Sequence, residues 1–129
     1  MSIFRYNPKN SIIICHCEIT GPKLSLALKM AVDTGATYTM ISVEAAIAVG
    51  CDPFTVRRRI EMTTGSGVEY VPVIIIPEFK TLGVKMTNLE VVCHNLPVES
   101  PVEGLLGLNF LNHSKLLIDF SRHVIIPAL

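Results

Sequence analysis

The sequence predicts an all-β protein, a barrel or sandwich of short antiparallel strands with one or two short helices. Short runs rich in β-branched residues recur along the chain and are separated by turns that contain glycine or proline. Residues 43–49 combine helix start and stop signals, Ser42 before them and Gly50 after them. Half of the 129 residues are hydrophobic, enough for the core of one domain. We expect a polar N-terminal arm at residues 1–10 and a single domain at residues 11–129.

The N-terminal part of this domain is predicted to form three strands before the helix. Residues 11–20 are β-branched and form the first strand, and Gly21-Pro22 provides a turn. Residues 23–32 alternate apolar and polar side chains and form the return strand, which ends just before Asp33. A third short strand follows at residues 37–41. The chain therefore delivers a carboxylate to the end of a strand.

A hairpin is predicted in the middle of the chain. Residues 55–64 and 68–76 are two strand-like runs joined by Gly65-Ser66-Gly67. Glycines on both sides of a serine indicate a flexible tip. On these residues alone, an ordinary surface hairpin is the simpler explanation. Pro72 and Pro77 restrict where the second run can be paired.

The C-terminal part is predicted to contain three strands, a two-residue strand and a second short helix. The first strand lies at residues 86–94, before a loop. Residues 105–106 form a short buried strand that breaks at Gly107 into the helix. The last two strands lie at residues 114–120 and 123–127.

The composition excludes several classes of function. The formal net charge is zero and the largest basic cluster is Arg57-Arg58-Arg59, which we interpret as a solvated strand edge, so no nucleic-acid partner is expected. No window approaches the roughly 18 apolar residues of a membrane span, so no membrane partner is expected either. The first residues lack the apolar core of a signal peptide. We therefore expect a cytoplasmic protein.

Four cysteines and four histidines raise the question of a metal site. Cys15 and Cys17 would lie on one face of a strand, whereas zinc ligands more often follow a Cys-x2–4-Cys spacing in loops. Free cysteines are usually small buried residues. We therefore expect buried or half-buried thiols on strands, with no metal and no cofactor.

Asp33 is the candidate functional residue. It follows an apolar run and precedes Thr34, Gly35 and Ala36, all small. An ionised carboxylate beside Val32 is costly to desolvate. It must therefore lie near water, accept hydrogen bonds, or share a proton with a partner. Asp-Thr-Gly alone also makes a good turn, so the hypothesis depends on the downstream sequence.

Two later segments complete a pattern that begins at residues 31–37, Ala-Val-Asp-Thr-Gly-Ala-Thr. A glycine-tipped hairpin follows about thirty residues later, and residues 104–111 read Gly-Leu-Leu-Gly-Leu-Asn-Phe-Leu. Leu-Ile-Asp-Phe follows at residues 117–120. In order and spacing, this pattern resembles the retropepsin-like aspartic proteases, and their cellular single-domain members most. The resemblance spans roughly residues 11–126.

The resemblance implies a closed retropepsin-like barrel and assigns roles to residues. Asp33 would be the catalytic aspartate, Thr34 would hydrogen bond across the site, and Gly35 would let the substrate backbone approach. Leu108 stands where the viral enzymes usually carry arginine, so a viral type of dimer contact is not expected. The implied substrate-binding residues are Ala36 and Thr37 in the cleft floor, Gly65, Ser66 and Gly67 in the flap, and Pro101, Val102 and Leu105 in a cleft wall.

Carboxylate-catalysed peptide hydrolysis needs two carboxyl groups, one ionised and one protonated. The other aspartates, Asp52 and Asp119, lack the flanking Thr-Gly. The second catalytic aspartate should therefore come from another copy of the chain, in a two-fold homodimer. We expect an aspartic endopeptidase that cleaves polypeptides and prefers hydrophobic side chains next to the scissile bond.

Other functions remain open on the sequence. The alternative from a different class is a catalytically inactive retropepsin-fold module for dimerisation or peptide binding, and a further one is a processing domain of a polyprotein. A thiol protease is disfavoured because no cysteine lies in a recognisable nucleophile motif.

Overall fold

The computed structural model describes residues 2–128 of the chain, in which ten strands and two helices are found. In chain order they are β1 (Phe4–Arg5), β2 (Ile14–Thr20), β3 (Ser25–Val32), β4 (Thr39–Ile41), α1 (Val43–Val49), β5 (Arg59–Thr64), β6 (Gly67–Thr81), β7 (Val84–Cys93), β8 (Gly104–Leu106), α2 (Leu108–Leu111), β9 (Leu116–Asp119) and β10 (Val124–Pro127). Within residues 2–128, no helix is long and apolar enough to cross a membrane.

Six strands form a closed barrel, which confirms the predicted fold class. They are hydrogen bonded in the order β2-β3-β8-β4-β7-β6, and β6 pairs back to β2 between Glu78–Lys80 and Glu18–Thr20. Most pairs are antiparallel, as predicted. The pairs β3–β8 and β4–β7 are parallel, which the sequence did not indicate. Parallel neighbours need long connections, and here β8 follows β3 by more than seventy residues.

The predicted hairpin is formed by β5 and β6, but β6 is longer than expected. Residues 67–72 of β6 pair with β5, whereas the rest of the strand pairs with β7 inside the barrel. The β6–β7 register runs from Ile76–Leu89 to Glu78–Thr87, so the ladder is interrupted at Pro77, which has no N–H to donate. The hairpin is therefore an extension of one barrel strand.

The two ends of the chain meet in a separate three-stranded sheet, ordered β1-β10-β9. Residues 1–10 were expected to be irregular, and this is wrong for Phe4 and Arg5, which pair with Ile125 and Val124. The reason is that the Phe4 side chain packs against the core. Because most residues next to Phe4 in the sequence are polar, this contact with the core was not predicted.

The core fills the barrel and reaches both helices. Phe79 from β6 and Phe110 from α2 are fully buried, with their ring centroids 5.5 Å apart. Helix α1 begins and ends as predicted, because the Ser42 hydroxyl accepts a hydrogen bond from the Ala45 N–H at 3.2 Å and Gly50 adopts a φ of 94°. Burying Phe110 fixes α2 against the barrel, directly behind the loop that carries Asp33.

Candidate active site

Asp33 lies at the end of β3, half-buried, in a loop that turns sharply. Its N–H donates to the Leu106 carbonyl of β8 at 3.0 Å, and its own carbonyl accepts the Ala36 N–H at 3.2 Å. The Gly35 N–H donates to the Asp33 carboxylate at 2.9 Å. One carboxylate oxygen of Asp33 therefore accepts a hydrogen bond, which was one of the arrangements expected for an ionised acid at the end of an apolar strand. The carboxylate is thus held in place but not enclosed by its own chain.

The segment after β8 supports this loop from beneath, as the resemblance implies for residues 105–107. The N–H of Leu108 donates to the Ala36 carbonyl at 2.8 Å, and the N–H of Asn109 donates to the Thr37 carbonyl at 3.2 Å. Gly107 lies so close to the loop that a Cβ placed there would be 2.6 Å from the Tyr38 carbonyl carbon and oxygen. Only glycine permits this approach.

A buried polar network completes the support. Thr39 is fully buried, and both its N–H and its hydroxyl donate to the Asn109 side-chain oxygen, at 2.7 and 2.9 Å. The Gly107 N–H donates to the Thr39 hydroxyl at 3.1 Å, and the Asn109 amide donates to the Glu90 carbonyl at 2.6 Å. Neither Thr39 nor Asn109 was predicted as a site residue from the sequence. Both could have been noticed in the sequence as polar residues in apolar surroundings, since Thr39 begins a strand that continues with apolar residues and Asn109 lies in an otherwise apolar helix.

An apolar cleft of about 410 Å³ opens beside the loop. Of the predicted site residues, it is lined by Gly35, Ala36, Thr37 and Leu105. Two further lining residues, Met62 and Thr63, belong to residues 62–68, the flap that the resemblance implies. The remaining lining residues were not predicted to bind substrate, and they are Tyr38, Met40, Ile60, Glu61 and Val92. The alternation of apolar side chains along β5 was the available signal, since it turns Ile60 and Met62 to one side. The cleft therefore lies between the Asp33 loop and the base of the hairpin.

The remaining predicted substrate-binding residues do not line this cleft in the single chain. Gly65, Ser66 and Gly67 are exposed at the hairpin tip. Pro101 is exposed, and Val102 is buried and lines a different depression. Their roles in binding substrate stay predictions.

A hydrogen bond and an ion pair connect the hairpin to the barrel. Glu69 of β6 lies 2.8 Å from the His94 ring nitrogen, and Arg58 pairs with Glu90. The predicted solvated edge, residues 57–59, is exposed. These contacts are made by Arg58, just before β5, and by Glu69 within β6, so neither is made by a residue of the Gly65-Ser66-Gly67 tip.

The other aspartates act as turn caps. The Asp52 carboxylate accepts the Phe54 N–H at 2.8 Å. The Asp119 carboxylate accepts from the Ser121 hydroxyl and from the N–H groups of Ser121 and Arg122. Asp52 and Asp119 thus serve local turns, and Asp33 is the aspartate whose loop, at Gly35, Ala36 and Thr37, lines the cleft.

The cysteines are unsuited to nucleophilic catalysis. Burial raises the pKa of the Cys93 thiol to about 12 and raises the pKa of Cys51. Cys15 and Cys17 are buried with their sulfurs 3.7 Å apart, and this contact lowers the pKa of Cys15 and raises that of Cys17. A reactive cysteine needs an accessible thiolate. Buried or half-buried thiols on strands were predicted, and this is correct for Cys15, Cys17 and Cys93. Cys51 is half-buried but lies between α1 and β5 rather than on a strand.

Comparison with known proteins identifies the family. The chain is similar in structure to a retropepsin-like aspartic protease from Rickettsia conorii, with a TM-score of 0.73 and 20% identity over 98% of this chain and 89% of that one. It is also similar to the retroviral protease-like domain of Ddi1 from Leishmania major, with a TM-score of 0.53 and 15% identity over 94% and 97% of the two chains. At these identities the likeness shows a shared fold.

No curated protein matches the sequence significantly. The family described as gag-polyprotein putative aspartyl protease matches residues 17–113, well over half of the chain and a span that includes Asp33, the hairpin and α2. The chain therefore belongs to the gag-polyprotein putative aspartyl protease family and has a retropepsin-like fold.

Proposed function

We propose that this protein is an aspartic endopeptidase whose active unit is a homodimer. The observation that carries the proposal is the placement of Asp33, a half-buried carboxylate on a loop braced from beneath and bordered by an apolar cleft of about 410 Å³. A catalytic acid needs this combination of fixed position and access to substrate.

The chemistry requires a second carboxyl group. One ionised carboxylate takes a proton from water as the water oxygen attacks the peptide carbonyl carbon, while a protonated carboxyl donates to the carbonyl oxygen. Two aspartates that share one proton are the usual arrangement in aspartic proteases. Each chain supplies one such acid, and the exposed Thr34 beside it leaves room for a partner. A two-fold dimer brings the two copies of Asp33 together.

The cleft indicates the kind of substrate. Tyr38, Ile60, Met62 and Leu105 present an apolar surface next to the Asp33 loop. Burying a large apolar side chain there stabilises the complex by about 1.5 to 3 kcal/mol. We therefore expect cleavage of extended polypeptides beside hydrophobic residues, with the β5–β6 hairpin lying over the bound chain.

The test is Asp33→Asn, assayed with a mixture of peptides whose cleavage products are identified by mass spectrometry. Asparagine keeps the size of the side chain but cannot act as acid or base, so cleavage should fall roughly 10³-fold or more. The melting temperature and the molecular mass in sedimentation should not fall. Asp52→Asn is the matched control, because the asparagine oxygen can still cap the turn, and it should cleave at the wild-type rate.

Two outcomes contradict the proposal. Cleavage that persists in pure Asp33→Asn protein would exclude Asp33 as the catalytic acid. A wild-type dimer that binds peptides and a statine-type transition-state mimic equally well, without cleavage, would favour the inactive binding module instead.

A further inference from the structure

The hydrogen bond between His94 and Glu69 joins a fixed part of the molecule to a free one. His94 follows the last residue of β7, and its ring Nε2 lies 2.8 Å from a carboxylate oxygen of Glu69. In the part of the chain that the structure describes, Glu69 is the residue nearest to the Gly65-Ser66-Gly67 tip whose side chain hydrogen bonds to the barrel. The contact therefore acts on the hairpin between its tip and Val73, where the pairing of β6 with β7 begins.

The histidine belongs to the fixed part. The His94 N–H donates to the Ile41 carbonyl of β4 at 3.1 Å, and Cys93 before it is buried. The Asn95 side-chain oxygen accepts the Val43 N–H of α1 at 3.0 Å. Both neighbours of His94 are thus attached to the barrel or its helix, so the contact restrains the hairpin rather than the histidine.

The glutamate shares a face of the hairpin with a residue of the cleft. Glu69 is directly opposite Met62 in the β5–β6 ladder, and residues opposite each other in an antiparallel pair project from the same face. Met62 lines the apolar cleft and packs against a buried cluster that includes Val71. The contact with His94 therefore holds the two strands in the position in which Met62 forms part of the cleft wall.

The ring in this contact can change its charge near neutral pH. Imidazole is the side chain whose charge changes between about pH 5 and 8. A protonated ring attracts a carboxylate as a full charge, whereas a neutral ring keeps the hydrogen bond alone. The side chains of His94 and Glu69 are 31% and 46% exposed, so solvent reaches both and screens the attraction. The strength of the contact is therefore modest and depends on pH.

The charge of the ring acts on one partner. Among the residues that the structure describes, Glu69 is the ionisable group within hydrogen-bond distance of the His94 ring. Arg58, just before β5, is paired with Glu90 of β7. The remaining ionisable side chains on the neighbouring parts of the strands and helix around His94 are Arg59 and Glu61 of β5, Tyr70 of β6, Cys93 of β7 and Glu44 of α1.

We propose that His94 positions the hairpin through Glu69 and does so in a pH-dependent way. With the ring protonated, the ion pair holds β5 and β6 where they line the cleft; with the ring neutral, the hairpin opens more readily. The inference rests on the proposed function, because it concerns how the peptide is held in that cleft. A hairpin that is ordered before the peptide arrives loses less freedom on binding, so the protonated form should bind peptide more tightly. His94 is not among the described residues that line the cleft, so it is a positioning residue.

The first test compares the KM for a cleaved peptide in wild type and in His94→Gln, whose side chain keeps a donor but does not titrate. The ratio of the two KM values removes the titration of the catalytic carboxyl groups, which both proteins share. The KM of the variant should exceed that of wild type roughly two- to fivefold at about pH 5.5 and match it at about pH 7.5, with kcat in a constant ratio. A KM ratio that is the same at both pH values overturns the proposal.

Further variants separate charge from packing. His94→Lys stays cationic throughout this range, so its KM at about pH 7.5 should be roughly two- to fivefold below that of wild type. Glu69→Gln should show the same effect as His94→Gln, and the double variant should add nothing further. His16→Gln, which replaces an exposed histidine on β2, is the matched control and should keep the wild-type pH dependence. Additive effects in the double variant, or a His94→Lys protein that behaves like His94→Gln, would contradict the proposal.

An experiment that needs no cleavage distinguishes the failure of this inference from the failure of the proposed function. In isotope-labelled protein, the amide signals of Gly65 and Gly67 and the ring signals of His94 are followed against pH by NMR. The tip signals of wild type should shift with the same midpoint as the His94 ring, and Glu69→Gln should abolish this coupling. Wild-type protein that shows the coupling but does not cleave peptides removes the protease and keeps the positioning role. Protein that cleaves peptides while its tip signals do not follow His94 removes the positioning role and keeps the protease.

Discussion

The Asp33 loop and the tip of the β5–β6 hairpin are built from the same kinds of residue and behave as opposites. Thr34-Gly35-Ala36 and Gly65-Ser66-Gly67 are both short runs of small residues. In the first, the Ala36 carbonyl accepts the Leu108 N–H of α2, and the N–H groups of Gly35 and Ala36 donate to the Asp33 carboxylate and carbonyl. A Cβ added at Gly65 or Gly67 would meet nothing within 4 Å. Small residues therefore fix a loop or free it, depending on what packs beneath them.

The contrast suits the proposed function. A catalytic carboxylate gains from a fixed position, because small displacements of a reacting group cost much of the rate. A segment that covers substrate must open to admit the peptide and release its products. The rigid loop borders the cleft directly, whereas the free tip lies at the end of the hairpin whose strand β5 forms another part of the cleft wall. Three substitutions test how far this division holds, in order of expected effect.

Gly107→Ala should produce the largest effect. The added Cβ would lie 2.6 Å from the Tyr38 carbonyl and 2.8 Å from the Ala36 oxygen, and these backbone atoms cannot move aside without shifting the Asp33 loop. We expect a loss of about 2 to 4 kcal/mol in the free energy of unfolding, measured with urea, together with loss of cleavage. A loss below about 1 kcal/mol would mean that the loop is not held as tightly as its contacts indicate.

Thr39→Val should have the next largest effect. Valine has the shape of threonine but leaves the buried Gly107 N–H without its acceptor and removes one donor to Asn109. The expected loss is about 1 to 3 kcal/mol of unfolding free energy, with reduced cleavage. Thr39→Ser is the matched control, since it keeps the hydroxyl and removes a methyl group worth about 1 kcal/mol. If serine lowers cleavage as much as valine does, the hydrogen bonds do not position the loop.

Local features of this fold were predictable from the sequence. The Ser42 cap and the Gly50 stop defined α1 at both ends. The break at Gly107 between β8 and α2 was also predicted, because a glycine after two leucines ends a strand. These signals depend on a few neighbouring residues. The placement of Asp33 at a strand end needed no more than the alternation in β3.

Features that join distant parts of the chain were not predictable in this way. Thr39 and Asn109 are 70 residues apart, and neither has a neighbour in sequence that reports the contact. The parallel pairs of β3 with β8 and of β4 with β7 depend on how the closed barrel orders its strands. Strand β5 supplies part of the cleft wall, and its position depends on where its partner, the long strand β6, leaves the barrel. Periodicity shows which side chains share a face but not what that face meets.

Gly65→Ala should have the smallest effect on stability and so gives the sharpest test of the tip. The new methyl group meets nothing within 4 Å, and the backbone there is not left-handed, so the unfolding free energy should change by less than about 0.5 kcal/mol. Gly67→Ala is the paired variant: its surroundings are equally open, but its φ of 119° should cost about 1 kcal/mol or more. If the tip moves over bound peptide, the stiffer Gly65→Ala backbone should lower kcat/KM several-fold while urea denaturation stays as in wild type. Unchanged kinetics in Gly65→Ala would show that substrate binds without bending the hairpin at this residue, and the division between fixed loop and free tip would then have no role in catalysis.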